Sequence, residues 1–122
     1  MEWKFQDDLP IYQQIMDKLK QGIAVGELKA GQRLPSVREL ALEAGVNPNT
    51  MQKALAELER EGLLYSQRTS GRFVAEKEQI TKELQEEMAK EYVEQFIERM
   101  EKLGYNLEET VELLRRHYNN LH

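Results

Sequence analysis

Residues 34–62, reading LPSVRELALEAGVNPNTMQKALAELEREG, hold two helix starts and two helix stops in close succession, which leaves the chain few ways to fold. Ser36 followed three residues later by Glu39 is a capping box, in which two donors at a helix start are satisfied reciprocally. Val37, Leu40, Ala41 and Ala44 keep one apolar face until Gly45, a residue suited to the left-handed position past a helix end. After Val46 a second start follows, with Asn47 as N-cap and Pro48 at the first helical position. Met51, Ala54, Leu55 and Leu58 recur at helical spacing, and Gly62 closes the stretch. Small Ala41, four residues before Gly45, lets the second helix cross the first closely. The spacing is that of a helix-turn-helix.

Asn49, Thr50, Gln52, Lys53 and Ala56 lie off the apolar stripe of the second helix. Amides, a hydroxyl, an ammonium and a methyl are groups that meet base edges and phosphates in a major groove. A solvated helix face also carries Gln and Lys, so this face by itself fits both readings.

The net charge of −5 looks unsuited to a nucleic-acid binder until it is divided along the chain. Residues 1–75 carry ten basic and ten acidic side chains, whereas residues 76–122 carry seven against twelve. The acidity therefore belongs to the tail, and the head is free to hold a local basic face. Lys29, Arg33, Arg38, Lys53, Arg68 and Arg72 are spread over the head segments that would approach a duplex. Glu57, Glu59 and Glu61 fall towards the far end of the second helix.

Other function classes fail on inventory. The chain has no cysteine, which excludes disulfides, thiol nucleophiles and thiolate metal sites. His117 and His122 lie near the C-terminal end without a carboxylate or Cys at ligand spacing, so no metal site is expected. No glycine-rich phosphate loop is present, no cofactor is expected, and the many Glu residues read as a solvated face rather than a catalytic dyad. Asp7 and Asp8 stand where a signal peptide would need an apolar run, and no stretch is apolar enough to span a bilayer. A soluble, cytoplasmic chain that is not an enzyme is expected, with no membrane partner.

Around the helix-turn-helix, Trp3 and Phe5 alternate with polar neighbours in a short arm, either a brief strand or a packed arm. A first helix follows Leu9-Pro10, with Ile11, Ile15, Leu19 and Ile23 as its stripe, widened by Tyr12 and Met16. Gly26 ends it, and residues 28–34 form a loop into Pro35, which disfavours helix at Leu34. After Gly62 the period changes. Residues 63–67 and 72–75 read as two short strands around the four-residue loop Arg68-Thr69-Ser70-Gly71. Three helices and a hairpin make a winged helix-turn-helix domain over residues 1–75. Arg68 and Arg72 flank the wing tip, where a wing touches phosphates or enters a minor groove.

Residues 76–103 read as one long helix. Ile80, Leu84, Met88, Tyr92, Phe96 and Met100 recur every four residues, with Val93, Ile97 and Leu103 extending the stripe and Gly104 stopping it. Asn106 with Glu109 is a second capping box, opening a last helix with Leu107, Val111, Leu114, Tyr118 and Leu121 on its apolar side. Arg115, Arg116 and His117 suit that helix's negative end. A helical hairpin of residues 76–122 is too small to close a core of its own. Its stripe is core against the head, a dimer face, or thirdly a cofactor box. Homodimerisation through Leu84, Met88, Tyr92, Phe96, Met100, Val111, Leu114 and Tyr118 is the expectation. A two-fold dimer places two recognition helices on a palindrome. The fold class is thus mainly α with a small β-hairpin, a winged helix-turn-helix domain followed by a two-helix C-terminal dimerisation hairpin.

Residues 10–74 resemble the N-terminal domain of the GntR family of bacterial transcription regulators. The resemblance rests on Leu34-Pro35-Ser36-x-Arg38-x-Leu40-Ala41, Gly45-Val46-Asn47-x-x-Thr50, then Ala54, Leu58, Gly62-Leu63, and a wing ending Gly71-x-Phe73-Val74. The opening Pro10-Ile11-Tyr12-Gln13-Gln14-Ile15 and the short tail are similar to the YtrA subfamily. The resemblance implies a dimeric regulator, commonly a repressor, bound to double-stranded DNA at a palindromic operator and often controlling transporter genes. It places Arg38 as a DNA contact on the helix before the recognition helix, and Asn49, Thr50 and Gln52 at recognition-helix contact positions. Lys53, Arg68 and Arg72 complete the expected DNA-binding set. Pro48 stands where some relatives have a base-reading arginine. Thr69 stands where the wing usually has its first glycine, and because a β-branched residue resists positive φ, a different turn is expected at the tip. A winged-helix protein-interaction module without DNA binding is the alternative. Larger relatives append a ligand-binding domain; here no room remains for an enclosed pocket of the usual size within one subunit, and an effector is left unassigned.

Overall fold

The computed structural model describes residues 1–122, in the order α1 (Ile11–Ala24), α2 (Val37–Ala44), α3 (Pro48–Arg60), β1 (Leu64–Gln67), β2 (Gly71–Val74), α4 (Glu78–Lys102) and α5 (Leu107–Leu121). The chain divides into two compact units, Met1–Gln85 and Glu86–His122.

In the first unit α3 is the hub, packed against α1, α2 and β1. The apolar repeat read from the sequence is its buried face: Met51, Ala54, Leu55 and Leu58 are essentially inaccessible to solvent. They meet a core that includes Ile15 and Leu19 from α1 and Val74 from β2, each equally closed off. Sequestering one such aliphatic side chain stabilises by roughly 1.5–3 kcal/mol relative to leaving it in water. Leu84, in the second turn of α4, is also buried within this unit.

The N-terminal residues form a packed arm rather than a strand. Trp3 and Phe5 stack with ring centroids 6.1 Å apart. The Gln14 side chain on α1 accepts from the Gln6 amide at 2.7 Å and donates to the carbonyls of Gln6 and Leu9. Met1 lies over Gly22, where a β-carbon would come within 2.5 Å of its terminal methyl, so the mid-helix glycine makes room for the arm.

Strands β1 and β2 pair antiparallel from Leu64 opposite Val74 to Gln67 opposite Gly71. The loop is therefore three residues, Arg68 to Ser70, not four. Gly71 supplies the positive φ (109°) at the end of the turn while still pairing with Gln67, and no residue other than glycine has a positive φ. Thr69 is thus spared a conformation its branched side chain resists. The stretch read as a plain loop into the helix-turn-helix holds a second difference. Gly31 donates to the Val74 carbonyl, Val74 to Gln32 and Leu34 to Arg72, each at 2.9 Å, so residues 31–34 run along β2, with 32–34 as a third short extended segment. Arg33 bridges to Phe73 within it.

Helix α4 starts at Glu78, two residues later than its pattern suggests. Ala75 is still held to the Leu63 carbonyl, and the Glu76 carboxylate accepts from the Tyr65 hydroxyl at 2.9 Å, which keeps this segment extended.

In the second unit α4 and α5 are joined by a tight turn. Gly104 donates to Glu101 and Tyr105 to Met100, closing α4. Asn106 and Glu109 form the expected capping box at the start of α5. Full burial is confined to Met100 and Thr110 beside the turn. Met88, Val111 and Leu113 are half-buried, and Tyr92, Phe96, Leu114 and Tyr118 are exposed on the single chain.

Candidate nucleic-acid interface

The turn between α2 and α3 is built from capping residues alone. Ser36 Oγ accepts from the Glu39 amide at 3.1 Å and the Glu39 carboxylate accepts from the Ser36 amide at 3.3 Å, so the capping box is complete. At the other end of α2, Gly45 takes φ +71° and the Val46 amide donates to the Ala41 carbonyl at 3.0 Å. Asn47 Oδ1 then accepts from the Asn49 amide at 2.8 Å, and Pro48 occupies the first helical position, where its missing N–H costs nothing. These local bonds fix the direction in which α3 leaves α2. Asn49 and Gln52 stand exposed on its first turns, with Thr50 half-buried and Ala56 exposed beside them.

The charges sort themselves by pairing. The acidic far end of α3 is neutralised within the unit: Glu61 meets Lys20 at 3.0 Å, Glu59 meets Arg72 at 3.4 Å, and Glu57 pairs with Arg60. Arg33, Arg38, Lys53 and Arg68 take part in no ion pair. Lys53 Nζ sits 3.9 Å from the centre of the Tyr12 ring, so α1 offers it an aromatic shelf rather than a carboxylate. Arg38 is exposed on the first turn of α2 and Arg68 on the wing tip.

Arg72 is placed differently from the other expected contacts. Its side chain is only 16% exposed and turns towards α3, where it is held by Glu59. Strand alternation is the cause: Val74 on the same face is core, so Arg72 shares the inward side. Its Nε is buried with no partner.

On the outward face of the hairpin, Tyr65 and Phe73 stack with centroids 5.5 Å apart. Accepting the Tyr65 hydroxyl, the Glu76 carboxylate holds that phenol above its ordinary pKa of 10.0; partial burial and the nearby negative charge act in the same direction. Arg33 belongs to this face too. Only its place in a third extended segment shows this, and the one signal in the sequence is the alternation of charged Arg33 with apolar Leu34.

The tail residues expected at a dimer face are placed in two groups. Leu84 and Met100 are covered within a single chain, Met88 and Val111 are half-buried, and Tyr92, Phe96, Leu114 and Tyr118 are between 53% and 59% exposed except for Phe96 at 41%. A four-residue repeat drifts by about 40° per step around a helix of 3.6 residues per turn, so within the second unit Met88 and Met100 point about 120° apart. The stripe is not one face. No helix of the chain is long and apolar enough to cross a membrane.

Comparison with known proteins agrees with this geometry. The family model described as "Bacterial regulatory proteins, gntR family" matches residues 11–74. Over 112 residues the chain is 42% identical to YhcF of Bacillus subtilis, an uncharacterized HTH-type transcriptional regulator, covering 92% of this chain and 93% of the relative. It is 40% identical over 107 residues to the HTH-type transcriptional repressor YtrA of the same organism, covering 87% of this chain and 82% of that one. A solved GntR family transcriptional regulator from Listeria monocytogenes superposes with a TM-score of 0.84 at 39% identity, over 92% of this chain and 98% of that chain. The unpaired cations therefore sit on a winged helix of a kind that binds DNA and has no enzymatic activity, and the chain belongs to the gntR family of bacterial transcription regulators.

Proposed function

We propose that this regulator is a cytoplasmic homodimeric repressor that occupies a palindromic operator. The observation that carries the DNA face is the division of charge around α3. Its acidic far end is spent on internal pairs, while Arg38, Lys53 and Arg68 are left without carboxylate partners and the amides of Asn49 and Gln52 are exposed. In this reading Asn49, Thr50 and Gln52 contact base edges, Arg38 anchors a phosphate or a guanine edge, Lys53 meets the backbone, and Arg68 extends the wing. Arg72 serves the same face indirectly, by fixing the wing strand on α3.

The dimer reading rests on uncovered apolar surface. Tyr92, Phe96, Leu114 and Tyr118 are more than a unit of this size leaves in water without purpose, and a second copy is the occupant that also gives the operator its symmetry. Repression follows the repressor name carried by the relative YtrA.

Selection of bound sequences from a random duplex pool tests the reading in one step. A palindromic consensus with half-sites about one helical turn apart, or a multiple, is expected. Recovery of no consensus, or of a single unrepeated half-site, would overturn it.

A further inference from the structure

We propose that Arg33 is a further DNA-phosphate contact, seated at the root of the wing between the tip and the start of α2; this rests on the DNA face proposed above. The segment holding it is fixed by three backbone bonds to β2, and the bridge to Phe73 sets Arg33 on the outward face of the hairpin. Its neighbour Leu34 is buried, so the alternation leaves Arg33 facing solvent. Gly71, the residue that follows the tip, has no side chain to push it away. A β-carbon there would lie 3.1 Å from Arg33 Nε and 3.6 Å from Nη2, so the guanidinium rests against the bare strand backbone.

Two features turn a placed guanidinium into a ligand-ready one. Arg33 is in no ion pair, and the carboxylate on the same face, Glu76, is engaged by the Tyr65 hydroxyl. A cation already supported by the backbone also loses less freedom on binding than a free side chain, and the planar fork of arginine matches phosphate oxygens. Arg33 stands three residues before Ser36, the N-cap of α2, and alongside the end of the tip loop Arg68 to Ser70. A strand of DNA passing from the helix-turn-helix to the wing would cross this point. The contact is to the backbone, so it carries no sequence information by itself.

The test uses the full chain, the operator recovered by selection and an unrelated duplex, with affinity measured over a series of salt concentrations. For Arg33→Gln, loss of about tenfold at low salt on both duplexes is expected, and the slope of log affinity against log salt falls by about 0.9 for each chain bound. Arg33→Lys retains the slope. An unchanged slope in Arg33→Gln overturns the proposal, as does a loss confined to the operator, which would mean base reading instead. If Arg33→Gln lowers the unfolding midpoint, the comparison moves to Arg33→Lys against Arg33→Met at matched stability, with the same slope criterion. Failure of the wild-type chain to bind either duplex would instead overturn the DNA face as a whole.

Discussion

Arg72 on the second wing strand meets Glu59 in the last turn of α3 at 3.4 Å, with 16% of the arginine side chain and 32% of the glutamate side chain exposed. One bond thereby ties the wing to the helix proposed to read bases, and it holds in place a basic residue that strand alternation already turns away from solvent. Breaking such a pair from one side is costlier than deleting it, because the remaining charge stays where water reaches it poorly. Glu59→Ala is expected to lower stability by roughly 1–2 kcal/mol after allowance for partial exposure, and Arg72→Met, which keeps the buried stem, by less. Urea unfolding midpoints decide it. Equal effects of the two changes would remove the uncompensated arginine from the account.

Arg38 offers the cleanest measure of specific binding. It is exposed and unpaired, so Arg38→Ala removes little from the fold. A cost of roughly 1–3 kcal/mol is expected on the operator if it reads a base, with a smaller cost on unrelated duplex. Parallel losses on both would make it a phosphate anchor, and no loss would strike it from the interface.

Caps should matter to binding as well as to stability. Asn47 bonds the Asn49 amide at 2.8 Å and so sets the first turn of α3. Asn47→Ala is expected to cost about 1 kcal/mol in thermal or chemical unfolding. The operator affinity should drop with it, because Asn49 and Thr50 lie in that same turn. A stability loss with unchanged affinity would separate the cap from the reading surface.

Phe96 and Tyr118 are 41% and 59% exposed on the single chain, so a carboxylate at either position costs an isolated chain little. In a two-fold interface the same charge is buried twice. Phe96→Glu and Tyr118→Glu are each expected to convert the dimer to monomer with helix content retained, and to cost operator binding its avidity. Sedimentation equilibrium with circular dichroism reads both. A dimer mass that survives both changes would place the interface elsewhere.

The Tyr65 phenol, held above 10.0 by the Glu76 carboxylate, gives a pH prediction with a definite sign. Its pKa is higher folded than unfolded, so the stabilisation it contributes is full below about pH 10 and is lost as pH rises through the raised value. An absorbance titration of the wild-type chain is expected to show this phenol ionising late, and Glu76→Gln should move it to lower pH. A titration curve that Glu76→Gln leaves unchanged would contradict the bond.

The helix-turn-helix was legible in full because its determinants are local. Ser36 and Glu39, Gly45, Asn47 and Pro48 act within four residues of themselves, and the stripe Met51, Ala54, Leu55, Leu58 follows directly from 3.6 residues per turn. The second capping box at Asn106 and Glu109 was readable for the same reason. Partnerships across the fold were not. That Arg72 turns to Glu59 and that residues 31–34 join the hairpin depend on which segments meet, and sequence spacing alone carries no such information. The chain by itself set its helices, their caps and the division of charge between head and tail; the tertiary structure decided which cations keep a partner and which are left without one, because ion pairing depends on distance in space rather than along the chain.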